Sequence, residues 1–276
     1  MSYRIVSDSS SNILKLDNAD YKSVPLTVVL GEKQFVDDEN LDVRAMVEEM
    51  SKSKEKCSTS CPNVFDWLEA FKGASECFAV TITSNLSGCY AAAVQAKNDF
   101  LNSNSDAKIC VIDSLSTGPE MELIIEKLQE LSGEGVGFEE AEKAVREYLE
   151  KTHLFVSLES LNNLAKNGRV SHTVAKIAGV LGIRVVGTAS EDGYLEPIHK
   201  CRGEKKALET MKNEVLKKGF KGGKLRIAHC ENPSAAEKFK NMILEVYPES
   251  DIKIRECTGL CSFYAEKGGC IIAFEA

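Results

Sequence analysis

Three hydroxyl-rich clusters in the first third of the chain hold the side chains best suited to chemistry. They are Asp8-Ser9-Ser10-Ser11, Ser58-Thr59-Ser60-Cys61-Pro62, and Thr81-Ile82-Thr83-Ser84-Asn85-Leu86-Ser87-Gly88. Serine and threonine hydroxyls are neutral partners for an anion, either a carboxylate or a phosphate. Ser84 and Ser87 fall at the start of a helix expected over Gly88 to Phe100, where free N–H groups and the positive dipole end favour negative charge. The same residue types also cap helices and form turns. One cluster alone therefore says little, and three in succession say more. Asn167-Gly168-Arg169-Val170-Ser171 reads as a helix end with Gly168 as a left-handed cap. Arg169 is then either a surface charge or a donor for an anionic ligand.

Other chemistries lack support. A serine nucleophile needs a base oriented by a third group, and none of His153, His172, His199 and His229 has neighbours suited to that role. Neither Gly-x-Gly-x-x-Gly nor a lysine-bearing phosphate loop occurs. Ten cysteines are present without a Cys-x-x-Cys pair, so a zinc site is not expected, and the thiols read as small hydrophobes of a reducing compartment. With 42 acidic against 34 basic residues, the net charge of −8 argues against nucleic acid as a partner. No apolar run approaches the length of a membrane span, and the start of the chain reads as cytoplasmic. Glu120 to Glu150 is acidic and Lys200 to Arg226 basic. These segments read as two solvated helix faces, with a docking surface for an acidic protein as the sharper alternative.

Alternating strand-like and helix-like runs must position these residues, a rhythm that predicts an α/β protein. Strands are expected at Arg4 to Val6, Phe78 to Thr83 and Lys108 to Ile112, and in an open parallel sheet ligands collect beyond the carboxyl ends of such strands. Met121, Ile124, Ile125, Leu128 and Leu131 predict an amphipathic helix with Glu122, Glu126 and Glu130 on its opposite face. A helix over Phe138 to Leu149 comes next. A domain boundary near Thr152 divides the chain into residues 1–152 and 153–276. The second half is expected to contain a helix over Ala175 to Leu181 and a hairpin of Ile183 to Thr188 with Tyr194 to His199, turned by Asp192-Gly193. After these come a helix from Glu204 and another, opened by Asn232-Pro233, that turns Ala236, Phe239, Met242, Ile243 and Val246 inward. His153 to Val156 reads as a strand or linker opening the second domain, and strands are expected at Leu225 to His229, Ile252 to Arg255 and Ile271 to Phe274.

The order and spacing of several motifs resemble the DegV family of bacterial fatty-acid-binding proteins over essentially the whole chain. The matching residues are Val6-Ser7-Asp8-Ser9-Ser10-Ser11, Val24-Pro25-Leu26, Thr59-Ser60-Cys61-Pro62, Thr83-Ser84-Asn85-Leu86-Ser87-Gly88-Cys89-Tyr90, Ile112-Asp113-Ser114, Asn167-Gly168-Arg169-Val170-Ser171 and Arg202-Gly203. The resemblance implies an N-terminal domain with an open, mostly parallel sheet and a C-terminal α/β domain with a mixed sheet, with one long-chain fatty acid buried between them. It implies a carboxylate held by Thr59, Ser60, Ser84 and Ser87, with Arg169 and Arg202 near that end or on the surface facing a partner. It further implies presentation of the acyl group to a separate fatty-acid kinase with a dihydroxyacetone-kinase-like domain. No catalytic residue, metal or cofactor of the chain's own is then expected.

One departure stands out. The family's carboxy-terminal histidine falls on Ala265, within Gly259 to Gly269, which leaves Tyr264 or Glu266 to supply a replacement polar contact. Cys61 and Cys89 replace a family glutamine and threonine, either as pocket-lining thiols or as core filler. Two readings of other classes stand beside the carrier: a small-molecule enzyme using the serine clusters to bind a phosphorylated substrate, and a thiol-based redox protein.

Overall fold

Short apolar runs followed by capped helices build the first half of the chain. The computed structural model describes residues 3–171 and 182–276, and the helix expected over Ala175 to Leu181 lies outside them. The elements in order are β1 (Arg4–Asp8), β2 (Tyr21–Val24), β3 (Thr27–Leu30), β4 (Lys33–Val36), α1 (Val43–Lys52), β5 (Cys57–Ser60), α2 (Val64–Phe71), β6 (Glu76–Thr81), α3 (Cys89–Ser103), β7 (Lys108–Asp113), α4 (Pro119–Gly133) and α5 (Phe138–Leu149). The second half continues with β8 (Thr152–Leu158), α6 (Asn162–Lys166), β9 (Ile183–Ala189), β10 (Leu195–Arg202), α7 (Glu204–Lys217), β11 (Lys224–His229), α8 (Pro233–Leu244), β12 (Asp251–Glu256), α9 (Gly259–Ala265) and β13 (Cys270–Glu275).

The strands before residue 114 form two sheets and those after residue 151 form a third. The first is a parallel sheet of order β2-β1-β6-β7, and the second a small antiparallel sheet of order β4-β3-β5. The third is mixed, of order β10-β9-β8-β13-β11-β12, with only β11 and β12 parallel. This is the α/β architecture expected, a parallel-sheet half followed by a mixed-sheet half. In the parallel sheet Ser7 lies opposite Val80, and Thr81 opposite Asp113. The loops after β1, β6 and β7 therefore leave this sheet at the same end, as a parallel ladder requires.

Local signals performed as their chemistry dictates. Ala189 pairs with Leu195 across the β9–β10 turn, and Gly193 there has φ +77°. The Asn232 side chain accepts from the Ala235 N–H at 3.2 Å, with Pro233 opening α8. That helix buries Ala236, Phe239 and Ile243, but it ends at Leu244, so Val246 lies beyond it and is exposed rather than inward. Alternation along β8 divides the third sheet by face. Phe155 joins Val186, Leu208, Met211 and Phe239 in a core beneath α7 and α8, whereas Leu154, Val156 and Leu158 gather with Val185, Cys261 and Ile271 on the opposite face.

The charged face of α4 departs from expectation. Met121, Ile124, Ile125 and Leu128 are buried as predicted, but so are Glu122 and Glu126. The reason is that α4 lies between the parallel and mixed sheets, so its second face has no water to meet. Basic residues of β11 and β12 meet it instead: Arg226 to Glu126 at 2.7 Å, Lys253 to Glu126 at 2.7 Å, Arg255 to Glu122 at 2.7 Å, and Lys224 to Glu130. Lys224 and Arg226 belong to the basic segment and Lys253 and Arg255 lie beyond it, so at Arg226 the acidic and basic segments meet inside the molecule, whereas Glu139 and Glu140 of α5 and Lys205, Lys206 and Lys217 of α7 are exposed, as solvated helix faces.

Candidate functional site

The inward face of the mixed sheet borders a cavity of about 300 Å³. Leu154, Val156, Leu158, Leu195 and Ile271 line it from the second half, and Leu26, Ile82 and Leu86 from the first. These side chains come from strand positions alternating toward the cavity and from the loops leaving β2 and β6, so burial patterning alone produces an apolar wall.

Polar side chains collect where β5, the loop before α3, the end of α6 and α9 converge. Thr59, Ser60, Ser87, Arg169 and Tyr264 all line the cavity. The Thr59 hydroxyl lies 2.8 Å from the Tyr264 Oη, and either can donate. Burial pushes the Tyr264 pKa up, which keeps the phenol protonated and able to donate. Arg169 follows the Gly168 turn, where φ is +74° and its own N–H reaches Leu164 O at 2.8 Å. Its Nε donates to Leu86 O at 3.1 Å, and its guanidinium carbon lies 6.0 Å from the centre of the Tyr264 ring. The Ser87 hydroxyl accepts from the Cys89 N–H at 3.3 Å, at the first turn of α3. Such an arrangement offers a carboxylate neutral hydroxyls with one half-buried cation beside them.

Two residues expected in the site lie elsewhere. Ser84 is exposed and outside the lining, because the Thr83 to Leu86 turn directs it outward, where its N–H donates to the Asp113 carboxylate at 3.1 Å. Arg202 is exposed at the end of β10, also outside the lining. Ala265, at the family histidine position, does line the cavity. Of its two neighbours, Tyr264 takes the polar position, while Glu266 turns away to accept from the Asn163 N–H at 3.0 Å. Cys61 lines the cavity and Cys89 does not.

The first hydroxyl cluster builds the frame behind the site. Asp8 is fully buried and accepts from the Ile82 N–H at 2.8 Å and the Ser10 N–H at 3.1 Å, tying the end of β1 to the loop after β6. Burial pushes its pKa up to about 6, against the lowering effect of these hydrogen bonds. Asp37 went unnoticed in the sequence, where it resembles its neighbour Asp38 in an ordinary turn. It is fully buried and accepts from the Gly259 N–H at 2.6 Å, the Leu260 N–H at 3.0 Å and the Thr258 hydroxyl at 3.2 Å. It thereby fixes the start of α9, the helix that carries Cys261, Tyr264 and Ala265 into the cavity wall. Among the described residues no group of three or more His, Cys, Asp or Glu side chains is placed to hold a metal ion, and no helix is long and apolar enough to cross a membrane.

A parallel α/β half and a mixed-sheet half bordering one apolar cavity with a hydroxyl-rich end define a class of two-part α/β proteins built around an apolar ligand pocket. Within that class the chain belongs to the DegV family, whose description is that of uncharacterised proteins and whose profile matches residues 2–276. A DegV domain-containing protein of Streptococcus pneumoniae strain R6 is 42% identical over 279 residues, which span 100% of this chain and 99% of that one. A DegV family protein from Eubacterium eligens, loaded with heptadecanoic acid, is 46% identical with a TM-score of 0.97, covering 99% of each chain. The Streptococcus pneumoniae Fatty Acid Kinase (Fak) B3 protein, loaded with linoleic acid, is 42% identical with a TM-score of 0.98, covering 100% of this chain and 99% of that one.

Proposed function

We propose that this protein is a cytoplasmic carrier that takes one long-chain fatty acid into the cavity and offers it to a separate fatty-acid kinase. The carboxylate sits at the end formed by Thr59, Ser60, Ser87, Arg169 and Tyr264. The observation that carries this reading is an apolar cavity closing on the Thr59–Tyr264 hydroxyl pair. A tail of about sixteen carbons has roughly fifteen apolar groups at about 0.8 kcal/mol each, or about 12 kcal/mol gross before binding entropy is subtracted. The tail can therefore supply most of the affinity. The head group needs only orientation, and an oxygen held by neutral hydroxyls stays available to accept a phosphoryl group. The chain contributes no catalytic group or cofactor in this scheme, because the nucleotide and the chemistry belong to the kinase. Relatives loaded with heptadecanoic and linoleic acids support the ligand class. Ten free thiols support a reducing compartment.

Denaturing extraction of the purified protein followed by mass analysis tests the reading. A stoichiometric acyl carboxylic acid is expected. Absence of lipid after extraction, together with no uptake of added fatty acid, would sink it.

A further inference from the structure

Beyond the head-group end, five more hydroxyls among the described residues line the cavity, on Thr83, Ser116, Thr117, Thr188 and Tyr194. Three donate to the protein: Thr188 to Leu154 O at 2.8 Å, Ser116 to the buried Glu120 carboxylate, and Tyr194 to the Asn85 Oδ1 at 3.1 Å. Thr83 accepts from the Asn85 N–H at 3.3 Å and is itself only 1% exposed. Thr117 differs. Among the described residues the one polar neighbour of its hydroxyl is the Cys261 Sγ at 3.9 Å, and that thiol already donates to Ser10 O at 3.2 Å.

A donor with no hydrogen-bond partner lies just behind. Asn12 is 7% exposed, and its Oδ1 accepts from the Thr258 N–H at 3.0 Å, which fixes the amide orientation. Its Nδ2 is buried with no partner among the described residues. Asn12 Nδ2, Cys261 Sγ and Ile271 Cδ1 converge on Gly118, within 3.3, 3.7 and 3.9 Å of where a Cβ would stand. Cys261 and Ile271 are themselves part of the cavity wall. An all-methylene chain leaves the Thr117 hydroxyl with only this long contact to sulfur, whereas an oxygen carried by the ligand is a stronger acceptor for it.

We propose that the cavity is built for acyl chains bearing an in-chain oxygen, hydroxy or oxo fatty acids, with that oxygen accepting a hydrogen bond from Thr117 beside Cys261. The proposal rests on the fatty-acid reading above and names its substrate class more narrowly. It makes Thr117 a specificity residue along the chain, separate from the residues that hold the carboxylate.

Competitive binding of stearic acid against hydroxystearic and oxostearic acids, with the oxygen placed at different carbons, tests it. At least one oxygenated isomer is expected to bind as tightly as stearic acid or more tightly. In Thr117→Val the ratio of its affinity to that of stearic acid should fall about tenfold, a loss typical of a buried hydrogen bond. The hydroxy and oxo arms show whether the site requires an acceptor alone. Rejection of every oxygenated isomer by tenfold or more in the unaltered protein overturns the proposal, and this arm needs no variant to fold. A preference that survives Thr117→Val overturns the assignment to that residue. Failure of stearic acid itself to bind tells instead against the fatty-acid reading.

Discussion

Between α4 and the mixed sheet the two halves of the chain meet through charges, whereas around the cavity they meet through hydroxyls and apolar side chains. At the first contact Arg226, whose side chain is 1% exposed, uses every donor of its guanidinium. Nε and Nη2 reach Glu126 at 3.0 and 2.7 Å, Nη2 also reaches the Asp251 carboxylate at 2.7 Å, and Nη1 reaches Asp251 O and Leu225 O at 2.8 and 3.1 Å. Burial pushes the Glu126 pKa up, but hydrogen bonds from Arg226 and Lys253 outweigh it, leaving the carboxyl below its ordinary range. At the second contact one half-buried cation, Arg169, stands beside neutral hydroxyls. The two contacts divide the labour. Charges are paired permanently where the halves are fixed together, and neutral groups line the place where a charged ligand must enter and leave.

Removing the buried cation is expected to have the largest effect. Arg226→Met strands Glu126 with Lys253 as its remaining basic partner, and a loss of about 3–5 kcal/mol in unfolding free energy is expected from denaturant titration. The double variant Arg226→Met with Glu126→Gln should regain much of that loss. If the single variant is as stable as the parent, the charged seam does not hold the halves together.

Asp8 tests the frame between the two regions. Its ordinary pKa of 3.8 rises to about 6 in the folded protein, so the folded state keeps a proton that the unfolded chain has lost between those values. The stabilisation from that proton is fully present below pH 3.8 and disappears as pH rises through about 6. A shift of about two pKa units corresponds to about 3 kcal/mol. Relative to the parent, Asp8→Asn should therefore gain stability progressively from pH 4 to pH 7, by as much as about 3 kcal/mol over that range. Parallel stability curves for the two proteins would show that Asp8 does not titrate in this window.

The smallest effects belong to the cavity itself. Tyr264→Phe removes one hydroxyl from the head-group end and should weaken fatty-acid binding by about 0.5–1.5 kcal/mol. Ser84→Ala, at the exposed position that the sequence had favoured, should change it by less than about 0.5 kcal/mol. Displacement of a fluorescent fatty acid measures both, and the reverse order of effects would move the carboxylate to the Ser84 turn.

Much of the fold was legible because its signals are local. Most described strands and helices from β6 onward lie close to where periodicity puts them, α9 (Gly259–Ala265) being an element the sequence did not announce; Asp192-Gly193 turns a hairpin, Asn232-Pro233 opens a helix, and Gly168 takes the left-handed cap. Between Asn12 and Cys77 little was legible. Strands of four residues with mixed polarity, such as Lys33–Val36, and an α1 that fully buries only Met46 carry too weak a period to recognise. Within the site, Thr59, Ser60, Ser87, Arg169 and Tyr264 were named from motifs, while Thr117, Cys261 and the supporting Asp37 were not.

By itself, then, the sequence determined which segments become strands, helices and turns, and which clusters could offer hydroxyls, since both depend on neighbours a few residues away. Only the tertiary structure decided that Ser87 faces the cavity while Ser84 faces water, that Thr59 meets Tyr264 from 205 residues away, and that Asp37 caps a helix 222 residues further along. It also decided that the polar face of α4 is buried. A helix with an acidic face has the same periodicity whether water or Arg226 lies opposite, and what lies opposite is set by how the sheets close on one another.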